Sequence, residues 1–185
     1  MNGNTTLIVY LGIFFGVMIG QQVVARFQHV RRAKSVKHLP MELILRSLAS
    51  IILLPAGYLQ PKYVPLAFVV TGICIMLLGV TLALWAQSVM GRLWIPGIGT
   101  HTGHKLVTSG PFGYIRHPIY TGIGLVAIGG AVCSVNPFTL GFGGLFWLSI
   151  VIRVPHEEML MHQKFKKRWE RYVESTGFFV PRFRR

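Results

Sequence analysis

Two ionisable residues, Arg116 and His117, stand at the mouth of an otherwise apolar run in GPFGYIRHPIYTG, residues 110–122. Ionisable groups at membrane depth are costly, so by default they mark a site. The run ends at Arg153, Glu157 and Glu158. Arginine presents a planar fork that matches a carboxylate, and glutamate holds an ammonium or another cation. Brought together, the set would grip a zwitterionic ligand. Each member also has a plainer role. Arg116 and His117 could anchor at the interface with their charges reaching the headgroups. Glu157 and Glu158 follow Pro155, where first-turn acids complement a helix dipole. Arg153 and Glu157 share a helix face only if Pro155 kinks the helix without breaking it. Glu42 and Arg46, also four apart, pair near the start of a span, and His101 and His104 lie in a loop where solvation is the simpler expectation.

Other chemistries find little support. GIGTHTG, residues 97–103, is glycine-rich but follows no clear strand, so it fails the context test for a nucleotide-binding loop. Neither G-x-S-x-G nor H-E-x-x-H occurs. The chain has no Asp, which leaves none for a catalytic triad or a metal cage. Cys74 and Cys133 fall inside apolar runs without metal-type spacing and read as small buried hydrophobes, with no disulfide or zinc site.

The elements that would position the cluster are membrane helices. Of 185 residues, 52% are hydrophobic and 13% charged, with mean hydropathy +0.53; soluble domains carry about 25% charged residues. The net charge is +14. Because the basic residues flank apolar spans, this favours anionic lipid headgroups over nucleic acid as the partner. MNGNTT lacks the basic region of a signal peptide. Thr5–Ala25 is the first span, its Gly12, Gly16 and Gly20 opening one face for intramolecular helix contact. A second span runs from about Met41 to Leu59 and a third from about Tyr63 to Val89. Residues 90–118 form a long Gly- and His-rich loop of the kind that carries function. From Ile119 to Ile152 the chain is apolar but broken by Ser134-Val135-Asn136-Pro137, which predicts a helical hairpin with two short arms and both ends on one membrane face.

The fold class that follows is all-α integral membrane: about five transmembrane helices in a single domain, with three spans in 1–89 and the loop, hairpin and a C-terminal interfacial helix in 90–185. Segments 26–40, 89–118 and 153–185 hold five, three and nine Lys and Arg, so the positive-inside rule puts the N-terminus outside and the C-terminus in the cytoplasm. His156–Glu174 reads as one amphipathic helix, with Met161, Phe165, Trp169 and Tyr172 as an apolar stripe. It would lie on the lipid surface with Lys164, Lys167, Arg168 and Arg171 largely facing away from the stripe.

HKLVTSGPFGYIRHPIYTG, residues 104–122, followed by EEMLMHQKFKKRWERY from Glu157, resembles the isoprenylcysteine carboxyl methyltransferase family and a wider group that includes phospholipid N-methyltransferases. The resemblance covers roughly residues 100–182. It implies S-adenosylmethionine as cofactor, held without a Rossmann domain by His104, Lys105, Leu106, Val107, Phe112, His117, Pro118, Ile119, Tyr120 and Glu157. It sets Arg153 beside the methyl acceptor and includes Arg116 with Arg153 and Glu157 in the catalytic set, with no metal. The family's usual Phe-Gly after the acidic pair is Phe165-Lys166 here, and a common Tyr is Trp169.

The implied reaction is an in-line displacement of a sulfonium methyl by a lipophilic acceptor reached from the bilayer, with the carboxylate of a prenylated cysteine as first choice. That acceptor is ionised at neutral pH and needs no general base, so positioning supplies most of the rate. A phospholipid amine or a thiol is the alternative acceptor. Two rivals are an NADPH-dependent sterol-type reductase, which shares an Arg-His-x-x-Tyr element but needs more phosphate-binding cations than Lys105 and Arg116, and a non-enzymatic lipid-binding membrane protein.

Overall fold

The computed structural model describes residues 2–27, 40–53, 58–93 and 105–182. Among these residues seven α-helices follow one another: α1 (Gly3–Phe27), α2 (Pro40–Leu53), α3 (Leu66–Met90), α4 (Pro118–Ser134), α5 (Pro137–Val151), α6 (Val154–Phe165) and α7 (Lys167–Ser175). Among the described residues there is no sheet, only an isolated bridge between Ile115 and Gly177. α1 and α3, 25 residues each, and the helical run that opens with α5 are long and apolar enough to cross a membrane, while α4 is a shorter apolar helix. The chain is a multi-pass membrane protein. The apolar part of the last run ends before Arg153, where its charged residues begin.

The expected hairpin forms. α4 stops at Val135, which adopts a left-handed conformation, and Asn136 caps α5 by accepting from the Phe138 N–H, with Pro137 in the first turn. On this side Asn136 also donates to the Leu59 carbonyl (2.9 Å) and Gly3 N–H to the Pro61 carbonyl (3.2 Å). The α1 start, the α2–α3 connection and the hairpin turn therefore share one end of the bundle.

Small residues let α3 and α4 approach closely. A methyl group on Gly72 would stand 2.5 Å from the Gly129 carbonyl oxygen, and one on Gly79 2.5 Å from that of Gly122. Tyr10 and Phe14 of α1 are fully buried, and Phe14 packs edge-to-face on Phe142 and Phe146 of α5.

Several sequence expectations need correction. Among the described residues, Gly12, Gly16 and Gly20 meet nothing within 4 Å of where a side chain would begin. The contact face of α1 is instead its bulky one, because Tyr10 fits over Gly130 of α4. Cys74 is exposed on α3, whereas Cys133 is buried, and both are free. The third span starts at Leu66, with Pro65 just ahead of it. The C-terminal helix is two helices, broken at Lys166 with φ +49°. The basic segment 28–39, the glycine-rich 97–103 with His101, and the Glu42 side chain lie outside the described residues.

Candidate active site

At the other end of the bundle, the hairpin brings its two termini into contact. Arg116 Nε donates to Glu158 Oε1 at 2.8 Å, and His117 Nε2 lies 3.0 Å from the same oxygen. Pro118 starts α4 directly after this pair, so the pair stands at the helix mouth. Arg153 occupies the cap of α6, and Pro155 sits in the first turn, where no backbone hydrogen bond is lost. The helix restarts at Val154, and Glu157 N–H returns to the Arg153 carbonyl at 3.0 Å. Burial works to raise the Glu158 pKa. Hydrogen bonds from His117 and Arg116, with their charges, outweigh it and hold the carboxyl below its ordinary range.

The residues after α7 complete this corner. Arg116 Nη1 donates to the carbonyls of Thr176 (2.8 Å) and Val173 (3.3 Å), covering acceptors that the end of α7 leaves open. Backbone bonds run from Arg116 N–H to Gly177 and from His117 N–H to Phe178, while Gly177 and Arg182 N–H both reach the Tyr114 carbonyl. Thr121 donates to the Phe179 carbonyl at 3.0 Å. Phe178 and Phe179 set their rings 5.2 and 6.0 Å from the His117 ring.

Beside this corner lies a largely apolar cavity whose empty space, counted out to its open mouth, is about 920 Å³. Lys105, Leu106, Val107, Phe112, Arg116, His117, Pro118, Ile119, Tyr120 and Glu157 all line it. His104 lies outside the described residues. Tyr120 donates to Glu157 Oε1 at 2.6 Å, and the Tyr120 carbonyl accepts from Trp147 Nε1 at 3.0 Å. Arg153 is not in the cavity wall. It is 7% exposed and carries its guanidinium 5.5 Å above the Tyr120 ring. Among the described residues, no group of three His, Cys or Glu could hold a metal ion.

Sequence reasoning missed the far wall, formed by Met90, Leu93, Leu160, Met161, Trp169 and Tyr172. Four of these, Leu160, Met161, Trp169 and Tyr172, belong to the α6–α7 region that was read as lying on lipid. The Met161–Trp169–Tyr172 stripe faces the cavity, because the break at Lys166 turns α7 back over it. Tyr172 fixes this by donating to the Phe112 carbonyl at 2.8 Å. Burial pushes its phenol well above the ordinary tyrosine range, with Arg116 opposing and Glu158 adding.

A sequence model of the isoprenylcysteine carboxyl methyltransferase (ICMT) family matches residues 70–163, just over half the chain. The chain belongs to this family. A probable protein-S-isoprenylcysteine O-methyltransferase of Oryza sativa subsp. indica is 30% identical over 113 residues, 60% of this chain and 59% of that protein. Protein-S-isoprenylcysteine O-methyltransferase B of Arabidopsis thaliana is also 30% identical, over 57% of its length. The chain thus spans somewhat under two thirds of the length of these two relatives. A Delta(14)-sterol reductase of Mus musculus is 28% identical over 95 residues, half of this chain but 22% of that protein. The solved structure of the eukaryotic intramembrane Ras methyltransferase ICMT superposes with a TM-score of 0.68, covering 95% of this chain and 67% of that one at 21% identity. The shared fold therefore extends beyond the sequence match into α1 and α2.

Proposed function

We propose that this chain is a membrane-embedded methyltransferase that uses S-adenosylmethionine and methylates a lipophilic acceptor, the carboxylate of a prenylated cysteine. The observation that carries the reading is the position of Tyr120. Its hydroxyl holds Glu157 in the wall of the cavity, while its ring lies beneath the buried Arg153. A cation-binding group and a carboxylate-binding group thus meet across one side chain.

The residues fit the cofactor. Phe112, Ile119 and Trp169 give apolar and aromatic walls suited to a purine, Glu157 meets a positive charge, and Lys105 at the exposed rim suits a carboxylate. When bound, S-adenosylmethionine supplies an electrophilic methyl group on a sulfonium. Arg153 orients an acceptor carboxylate through a charge-assisted fork. No proton has to move, so no residue need act as a base. Arg116 is a positioning group: its Nε and Nη1 hold Glu158 and the α7 carbonyls, which fixes the cavity wall that His117 shares. The rest of the catalysis is holding two reactants in line and away from water.

The family match and the names of the relatives at 30% identity support this reading over a reductase. NADPH would need cations for its phosphates. Those described in the cavity are Lys105 and Arg116 besides His117, and Arg116 is already engaged. The distribution of Lys and Arg argues for a cytoplasmic site with the N-terminus outside, near anionic headgroups that attract the basic residues of α6 and α7.

Calorimetric titration of detergent-purified protein with S-adenosylhomocysteine, then NADPH, tests the reading. Saturable S-adenosylhomocysteine binding, weakened by Glu157→Ala and His117→Ala, is expected, with methyl transfer to a farnesylated cysteine bearing a free carboxylate. Arg153→Ala should lower turnover by about 100-fold. NADPH binding alone would overturn the transferase reading.

A further inference from the structure

A second cavity lies on the other side of the donor-site wall. It is lined by Thr108, Gly113, Arg168, Arg171, Ser175 and Thr176, together with Leu106 and Tyr172. Leu106 and Tyr172 also line the first cavity, so the two spaces are separated by shared side chains. Among the described residues, no acidic side chain lines the second one. Of the nearby carboxylates, Glu158 holds Arg116 and His117, Glu170 pairs with His162 at 3.0 Å, and Glu174 is exposed beside Ser175 but outside the lining.

Its two arginines are exposed and poised for a ligand. Among the described residues, neither Arg168 nor Arg171 forms an ion pair. Arg171 donates only its Nε, to the Lys167 carbonyl at 3.5 Å, which leaves its terminal nitrogens available. The negative end of α7 would ordinarily repel an anion here. Arg116 offsets that, because its guanidinium donates to the Val173 and Thr176 carbonyls. The two exposed guanidiniums in its lining match a group with several charged oxygens. Since the apolar face of α7 is turned onto the donor cavity, its outward cations are left to meet anions by charge rather than by insertion.

We infer that this second cavity binds a phosphate group, and that its occupation tightens donor binding through Leu106 and Tyr172. Placed on an interfacial helix, the site suits the phosphate of an anionic lipid headgroup, and free phosphate has the same chemistry. The coupling half of the inference rests on the transferase reading; phosphate binding itself does not.

The test uses the full chain in a phosphate-free maltoside detergent. Dihexanoyl phosphatidate, dihexanoylglycerol and inorganic phosphate are titrated calorimetrically, and S-adenosylhomocysteine affinity is measured with and without each. Phosphatidate should bind saturably and raise that affinity about fivefold or more, while dihexanoylglycerol does neither. The Arg168→Gln/Arg171→Gln protein should lose phosphatidate binding by at least about tenfold while keeping its phosphatidate-free S-adenosylhomocysteine affinity. Lys164→Gln/Lys167→Gln removes the same charge outside the cavity and should change binding less than about twofold. Competition by inorganic phosphate at similar concentrations would support a free anion as the source, and failure to compete would support a lipid. Equal losses in the two double variants, or no binding to the unaltered chain, would overturn the inference. Absence of S-adenosylhomocysteine binding alongside intact phosphatidate binding would instead count against the transferase reading alone.

Discussion

Where α3 meets α4, Gly72, Gly79, Gly122 and Gly129 let two backbones touch. Where α4 meets α6 and the tail, Arg116, His117 and Thr121 are joined to Glu158 and to backbone carbonyls by hydrogen bonds. Lipid tails offer no less apolar an environment than leucine, so helices inside a bilayer gain by close fit. At the interface, water competes for every polar group, and a buried pair holds only if each partner is satisfied. The first kind of contact should fail when atoms are added and ignore pH. The second should tolerate bulk and fail when charge is altered.

The sharpest way to break the first contact is Gly72→Leu, whose side chain has only the Gly129 and Cys133 backbone to enter. It should cost about 3 kcal/mol or more and appear as lost monodisperse protein in detergent size-exclusion profiles. Gly16→Leu, on the open face of α1, should change thermal stability by less than about 0.5 kcal/mol. A comparable loss there would mean that this face is covered.

In the interfacial contact, Glu158→Gln keeps an acceptor but removes the charge shared by Arg116 and His117. A loss of about 1.5–3 kcal/mol is expected, as for hydrogen bonds to charged groups, read as a lower thermal midpoint together with weaker S-adenosylhomocysteine binding. Unchanged donor affinity would detach this corner from the cavity.

The same carboxylate gives the contact a pH dependence. Its native pKa lies below the unfolded value, about 4.3 for glutamate, because the hydrogen bonds and charges of His117 and Arg116 outweigh burial. Its stabilisation is therefore fully present above that unfolded value and is lost as pH falls through the lower native one. Acid titration of thermal stability should show this loss in the unaltered chain and a shallower one in Glu158→Gln. Gly72 variants should keep the acid slope.

These differences also explain what could be read from the sequence. The hairpin was legible because length and Asn136-Pro137 permit little else, and its charged ends followed from the cost of placing ions in lipid. The α1 face was misread because glycine spacing shows where contact is possible, whereas Tyr10 and Phe14 decide where it occurs. The tail from Thr176 to Arg182 has no periodicity, and its bonds to Tyr114, Arg116 and His117 exist only once α7 has folded back. That turn was hidden because its pivot is a lysine.

Gly91 after α3 and Lys166 after α6 adopt nearly the same backbone angles, φ 50°, ψ −126° and φ 49°, ψ −124°. Glycine reaches this region without a steric penalty, and a residue with a Cβ does not. Lys166 is held there by its N–H to the His162 carbonyl at 2.8 Å and by Trp169 and Tyr172 seated against the cavity. Local strain of this kind costs about 1–3 kcal/mol, partly offset in a glycine variant by the greater freedom of its unfolded chain. Lys166→Gly should therefore raise stability by about 1 kcal/mol, seen as a thermal midpoint a few degrees higher, with donor affinity unchanged. A drop in stability would mean that the lysine side chain, not the backbone geometry, holds α7 in place.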